Sequence, residues 1–189
     1  LFFALFALAA GLSEPSVGSF TGETMGTTYS VTAIDPDGDL TGEELQAAVE
    51  ETLAQVNGQM SNWDPNSEIS LFNAAQSTDP IEISAELAEV RRVANDVHEQ
   101  SFGQLDVTLG PVISLWGFGQ RTPESPVPDD ADIAAALEAT GQADVLSFAD
   151  DMSTMAKATP DTNVWLAAIA KGYGVDEIAA TIEGFGIED

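Results

Sequence analysis

VWLAAIAKGYGVDEIAATI, Val164 to Ile182, changes its apolar period part-way along. Val164 to Ala168 is a short apolar run of the kind a buried strand makes. From Lys171 to Ile182 the spacing is helical, with Val175, Ile178, Ala179 and Ile182 on one face and Gly184 at the end. A strand feeding a helix in this way leaves Lys171 and Gly172 at the junction. There backbone N–H groups can meet a phosphate.

Upstream, the elements are mixed. Gly18 to Ile34 reads as extended structure broken by a turn. Tyr29, Val31 and Ala33 alternate with Thr28, Ser30 and Thr32, the pattern of a half-buried strand. Asp35-Pro36-Asp37-Gly38 is a turn. Thr41 and Glu44 make a capping-box pattern, and Leu45, Val49, Leu53, Val56 and Met60 follow at helical spacing. Glu68 to Ala74 reads as a short helical turn. Ser84 is placed to cap a helix carrying Leu87, Val90, Ala94 and Val97 on one face. Phe102 to Gly119 shows no long periodicity, and Pro123, Pro126 and Pro128 predict a loop. Asp130 to Thr140 reads as a short helix closed by Gly141. Val145 to Phe148 and Ser153 to Ala158 form a predicted hairpin around Asp150-Asp151. Strands and helices alternate without a βαβ rhythm, so the expected class is α+β, with residues 18–189 in one domain.

Composition narrows the function. Thirty-two acidic residues face five basic ones, Arg91, Arg92, Arg121, Lys157 and Lys171, for a net charge of −27. Such a surface repels nucleic acid and anionic lipid headgroups. It fits either adaptation to salty surroundings or plain solubility by excess carboxylate. Cysteine is absent, which excludes disulfides, thiolate metal sites and a cysteine nucleophile. Residues 1–12, LFFALFALAAGL, read as a signal-peptide remnant with a cleavage signal at Ala7-Leu8-Ala9; a buried first helix is the alternative. Export to the periplasm is expected, and with no Cys after the apolar run a lipid anchor is not.

Familiar catalytic devices are missing. There is no phosphate-binding loop ending in Gly-Lys-Ser/Thr and no Gly-x-Gly-x-x-Gly. His98 is the only histidine and reads as a helix residue, since no second His or Cys completes a site. Four segments are left that secondary structure does not explain: TMGTTYSV (Thr24 to Val31), MSNWDPNSEISLFN (Met60 to Asn73), FGQLDVTLGPVISLWGFG (Phe102 to Gly119) and AIAKGYGVDEIA (Ala168 to Ala179). Gly26 permits a positive φ, Met25 offers a soft apolar contact, and Trp63 is a platform for a planar ring. Each has a plainer reading as turn, core filler or surface charge. Lys171 has the least plain one, because basic residues are so scarce.

In this order the four segments resemble the ApbE family of FAD:protein FMN transferases. The resemblance implies a T-fold-like α+β enzyme that binds FAD with Mg²⁺ and transfers FMN to a Thr or Ser hydroxyl of a target protein, releasing AMP. Implied acceptors include subunits of membrane redox ion pumps. By motif position, Met25 and Trp63 are implied to contact the flavin nucleotide. Gln104, Leu105 and Asp106 are implied to line the FAD site, and Lys171 to lie near its phosphates. The Ala168 carbonyl is implied to help hold Mg²⁺. Lys157 matches no motif, and its loss is expected to cost little. Trp165 stands where the family usually has an Asp. The family's metal-binding Asp and Thr and its late His belong to a C-terminal region expected beyond Asp189. Catalytic residues are therefore not assigned within the chain. An exported FAD-binding protein without transferase activity and an acidic interaction domain without cofactor are the competing readings.

Overall fold

The alternation at Tyr29, Val31 and Ala33 is realised as one strand of a hairpin in the computed structural model, which describes residues 16–35, 42–118, 122 and 124–188. β1 (Ser16–Thr24) and β2 (Thr27–Asp35) pair antiparallel from Ser16↔Asp35 to Thr24↔Thr27. Val31 and Ala33 are buried while Thr28, Ser30 and Thr32 face out. Met25 and Gly26 make the turn, with φ of 49° and 70°. Positive φ at both positions is what a two-residue type I′ loop needs to match the strands' twist. Gly26 adopts it freely, whereas Met25 does so against the steric preference of a residue with a Cβ.

α1 (Gly42–Met60) buries the five residues its spacing marks, Leu45, Val49, Leu53, Val56 and Met60. Val49 and Leu53 meet Val31 under the hairpin, with Phe20, Tyr29, Ile178 and Ile182 packed around them. α2 (Glu68–Ala74) starts on Ser67, whose hydroxyl accepts from the Ser70 N–H. β3 (Ile81–Glu82) precedes α3 (Ala85–Gln100), capped by Ser84 as its sequence predicts. α4 (Gly110–Leu115), α5 (Asp130–Leu137) and α6 (Gln142–Val145) are short. β4 (Leu146–Phe148) and β5 (Thr154–Lys157) form the expected hairpin, and β3 adds to it in the order β3-β5-β4. α7 (Ala170–Gly184) lies against α1, where the Thr52 and Thr181 hydroxyls meet at 2.8 Å. The main core gathers α1, α2, α3 and β5 around Met60, Phe72, Leu87, Met155 and Leu166. The α+β class is as the sequence predicts.

Several details depart from the sequence reading. Val164 to Ala168 is not a strand; the region carries one isolated parallel bridge, Leu109↔Asn163. α7 buries Ala170 and Gly174, with Ile178 and Ile182 packed beneath the hairpin, while Val175 is 64% exposed and Ala179 also faces out. α7 is seated with Ala170 and Gly174 inward, Gly174 facing Val56 and Leu53, which leaves Val175 outward. On α3, Val97 is exposed and Arg91 is buried in its stead. α4 has no side-chain cap and begins on Gly110-Pro111, so its sequence carries little helical signal. Gly110 is required there: a Cβ would lie 2.6 Å from the Asn163 carbonyl oxygen. Residues 1–12, the Pro36 to Gly38 turn, Thr41 of the capping box, Gly119, Arg121 and Pro123 lie outside the described residues.

Lys157, whose loss is expected to cost little in FAD binding and transfer, carries a structural role that no motif signals. Its side chain is buried, and the ammonium donates to the carbonyls of Asn73, Ala75 and Pro160 at 3.1, 2.6 and 3.2 Å. It also sits 5.6 Å from the centre of the Phe72 ring. A cation at the C-terminal end of α2 complements the helix dipole and satisfies carbonyls that have no partner within the helix. Lys157→Ala is therefore expected to destabilise the fold by about 2–4 kcal/mol, because it orphans buried acceptors and opens a cavity. A urea melt with a lowered midpoint and an unchanged slope is the expected result.

Candidate functional site

Two asparagines build the site's floor. Asn62 and Asn73 both donate their side-chain amide to the Val164 carbonyl, at 2.7 and 2.8 Å. Their own carbonyl oxygens accept in return, Asn73 from the Val164 N–H at 2.7 Å and Asn62 from the Leu166 N–H at 2.8 Å. Between them, the Trp165 N–H donates to the Val107 carbonyl at 2.6 Å. Val164 to Leu166 takes most of its backbone partners from the two side-chain amides, with Val107 supplying the acceptor for Trp165. Val164 and Leu166 point into the core, so the residue between them projects the other way, toward the cavity.

The α1–α2 loop holds Trp63 against this segment. The Ser67 and Ser70 hydroxyls donate to the Ser61 carbonyl at 2.7 and 3.1 Å. The Ser61 hydroxyl accepts from the Trp63 and Asp64 N–H groups, each at 3.3 Å. Trp63 is 53% exposed, and its ring stands edge-to-face on Trp165 at 5.4 Å and 80°. The two indoles border a cavity of about 380 Å³ that Met25, Asn62, Phe118 and Lys171 also line. A second hollow of about 330 Å³ shares Asn62, Trp63, Phe118 and Trp165 and continues to Ile113 and Ser114 on α4. A third, about 270 Å³, lies on the far side of Met25 and Lys171, against Tyr29, Gly174 and Val175.

Lys171 stands exposed in the first turn of α7, a turn with no side-chain cap and no acidic residue. That is a place for an anion: unpaired N–H groups, the positive end of the dipole and a cation coincide. Further along the helix, burial and the nearby Glu177 carboxylate push the Tyr173 hydroxyl up to about 12, so it stays protonated at neutral pH.

Of the residues singled out in the sequence, the structure brings Met25, Trp63 and Lys171 to one cavity. Ala168 lies exposed just before α7, beside Ala167, which lines that cavity. Gln104, Leu105 and Asp106 are elsewhere. Gln104 is exposed, and Leu105 packs against the main core, its carbonyl held by His98 Nδ1 at 2.6 Å. The Asp106 carboxylate is engaged within the fold. It accepts from the Thr108 N–H and hydroxyl at 2.7 and 2.5 Å and from the Gly141 and Gln142 N–H groups at 3.0 and 3.3 Å. It also faces Arg91, which burial lowers to about 10 and the Asp106 charge partly restores. Arg91 donates to Asn95 and lies 4.9 Å from the centre of the Phe148 ring. Sequence reasoning placed Asn62 and Asn73 in a motif without a role. Their signal was two amides flanking a loop Trp, which only the third dimension could connect to Val164.

The chain has known relatives in sequence and in structure. The model of the ApbE family matches residues 25–189. A FAD:protein FMN transferase of Haemophilus influenzae is 40% identical over 94% of this chain and 52% of its own length. The structure of a flavin transferase ApbE from Vibrio cholerae superposes with a TM-score of 0.86 at 36% identity, covering 93% of this chain and 56% of that one. A flavinyl transferase ApbE of Pseudomonas stutzeri, an apo form, gives 0.82 at 31% identity, covering 92% and 55%. The chain thus spans about half the length of the relatives it matches.

Because Asn62 and Asn73 share one acceptor, their losses should not add. Asn62→Ala and Asn73→Ala each leave the Val164 carbonyl one donor; together they leave it none. Each single change is expected to cost about 1–3 kcal/mol, and the double change more than the sum by about 1 kcal/mol. Equilibrium unfolding of the four-member cycle measures that excess.

Proposed function

The chain belongs to the ApbE family, and from that premise we propose that the full-length protein is a FAD:protein FMN transferase. The observation that carries the reading is the meeting of Lys171, at the uncapped start of α7, with Trp63 and Met25 around one cavity. A flavin dinucleotide needs both kinds of surface. Its pyrophosphate is an anion suited to a helix N-terminus beside a cation, and its rings are planar and apolar-faced. In an otherwise strongly acidic chain, a cation at that place lowers the cost of bringing an anion in.

In the proposed reaction, a Thr or Ser hydroxyl oxygen of the acceptor attacks the phosphorus on the FMN side of the pyrophosphate. The P–O bond to the AMP half breaks, FMN stays on the acceptor as a phosphoester, and AMP leaves. Catalysis of such a step rests on positioning and charge neutralisation. Mg²⁺ is the proposed counter-ion. The described residues on their own do not make its site, since no group of three or more His, Asp or Glu side chains is placed for it among them and Ala168 brings one carbonyl. The remaining ligands are proposed to lie outside them. Export and a membrane-associated redox subunit as acceptor complete the proposal. Among the described residues no helix is long and apolar enough to cross a membrane. Flavin binding without transfer is the second reading, favoured by an indole at Trp165, at the edge of the cavity.

The defining test is mass spectrometry of a candidate acceptor incubated with the full-length protein, FAD and Mg²⁺. An FMN adduct on a Thr or Ser is expected; bound FAD with no adduct selects the second reading. Lys171→Ala should weaken FAD binding about tenfold, by loss of a charge-assisted phosphate contact. Arg92→Ala is the matched control. Arg92 is an exposed cation paired with Glu89 and Asp96 at 2.7 and 2.8 Å, so its removal changes net charge equally and leaves the cavity untouched. Equal FAD affinity for the two variants in calorimetry would reduce Lys171 to a surface charge.

A further inference from the structure

We infer that Trp165 is a specificity-determining residue of this cavity: with Trp63 it forms a right-angled indole corner that selects the ligand by an uncharged heteroaromatic ring. The inference rests on the reading above and adds the residue that grips the ring.

The geometry supports it at three levels. First, the ring is aimed by its backbone. The flanking Val164 and Leu166 are 1% and 0% exposed, and hydrogen bonds from Asn62, Asn73 and Val107 fix the segment on both sides. A side chain carried on so constrained a backbone is preorganised, and little ordering entropy is lost when a ligand meets it. Second, the two indole planes stand 80° apart with centroids 5.4 Å from each other. A planar ring stacked on one indole therefore meets the other near its edge, so each of the two preferred aromatic contacts is available to the same ligand. Third, charge separates the ends of the slot. Among the described residues, the hollow continuing from the corner toward Ile113 and Ser114 is lined by no charged side chain, whereas Lys171 lines the first cavity and not this one. An anionic group is thereby directed to Lys171 and a neutral ring to the corner.

A dinucleotide offers two such rings, the isoalloxazine and the adenine. Riboflavin and adenosine, each without a charged phosphate, distinguish them. In the full-length protein, Trp165→Ala is expected to weaken FAD binding about tenfold, in line with the loss of one stacking platform. The same change should weaken either riboflavin or adenosine by a similar factor, and whichever it is identifies the ring. Trp165→Phe, which keeps an apolar ring in place, should stay within about threefold of wild type for FAD. It should also lose part of the tryptophan quenching produced by that ring compound. Lys171→Ala should weaken FAD and leave riboflavin and adenosine unchanged. Unaltered affinity for both ring compounds in Trp165→Ala with a native circular dichroism spectrum overturns the corner. So does unaltered quenching in Trp165→Phe, which decides the matter if the alanine variant does not fold. Either result leaves the transferase reading standing. Absence of FAD binding by the wild type removes both.

Discussion

The Val164 carbonyl receives two side-chain amides, and the arrangement of the cavity depends on that convergence. Val164 to Leu166 runs through the core as extended backbone. Buried backbone N–H and C=O groups need partners, and here the Val107 carbonyl and the single Leu109↔Asn163 bridge supply only part of them. An asparagine side chain carries one donor group and one acceptor, the same pair a strand residue would offer. Asn62 and Asn73 take that place from opposite ends of one motif, one in the α1–α2 loop and the other within α2. The consequence is mechanical. The loop that carries Trp63, the segment that carries Trp165 and the start of α7 that carries Lys171 are tied to one another, and none can shift without breaking a buried hydrogen bond.

The few cations are placed with equal economy. Of the four described, Arg91 and Lys157 are buried, so the surface is more negative than the composition alone conveys. Arg91 is held between Asn95, Phe148 and the field of Asp106. Through Asp106 and Gln142 it joins α3 to the segment that ends at Val107, since the Gln142 side chain accepts from the Val107 N–H and donates to the Ala94 carbonyl. Lys157 terminates α2 just beyond Asn73. Both buried charges thus brace the frame that the two asparagines complete. Arg92 is committed to a surface ion-pair cluster with its own helix neighbours. Among the four described cations, Lys171, exposed and at the cavity, is the one left to meet an external anion.

Where period and capping carried the signal, the sequence was readable. α1 and the β1–β2 hairpin follow from spacing alone, and Ser84 marks the start of α3 through a capping residue that acts locally. What escaped was set by contacts between distant residues. Val164 to Ala168 has the composition of a strand, but its partners are amides about ninety and one hundred residues away, which no window detects. Val175 has the period of a core residue, and the seating of α7 with Ala170 and Gly174 inward leaves it exposed. Lys157 matches no motif because its three carbonyl acceptors are invisible in one dimension. At the site, Met25, Trp63 and Lys171 were legible because each departs from what its element needs. Asp106 has a task within the fold that no motif displays, since its carboxylate organises a turn and meets the N–H groups at the start of α6.

The same departures show where the fold gives up stability around the cavity. Met25 holds a left-handed backbone at the hairpin turn, a conformation that costs a residue with a Cβ on the order of 1–2 kcal/mol. An Asn or Gly there would relieve it, yet the side chain present is the one that reaches the cavity. Lys171 sits in the first helical turn, where a cation opposes the dipole by about 0.3–1 kcal/mol and any of the chain's 32 carboxylates would be better placed. Met25 recovers part of its cost by packing against the main core. Both are offset by the rigid frame behind them, with Gly174 seating α7 against α1 and the asparagine pair fixing its approach. A helix start with open N–H groups, a lysine that does not belong there and a strained methionine opposite are unfavourable alone. In the proposed function they become favourable together, with an anion carrying an apolar ring between them.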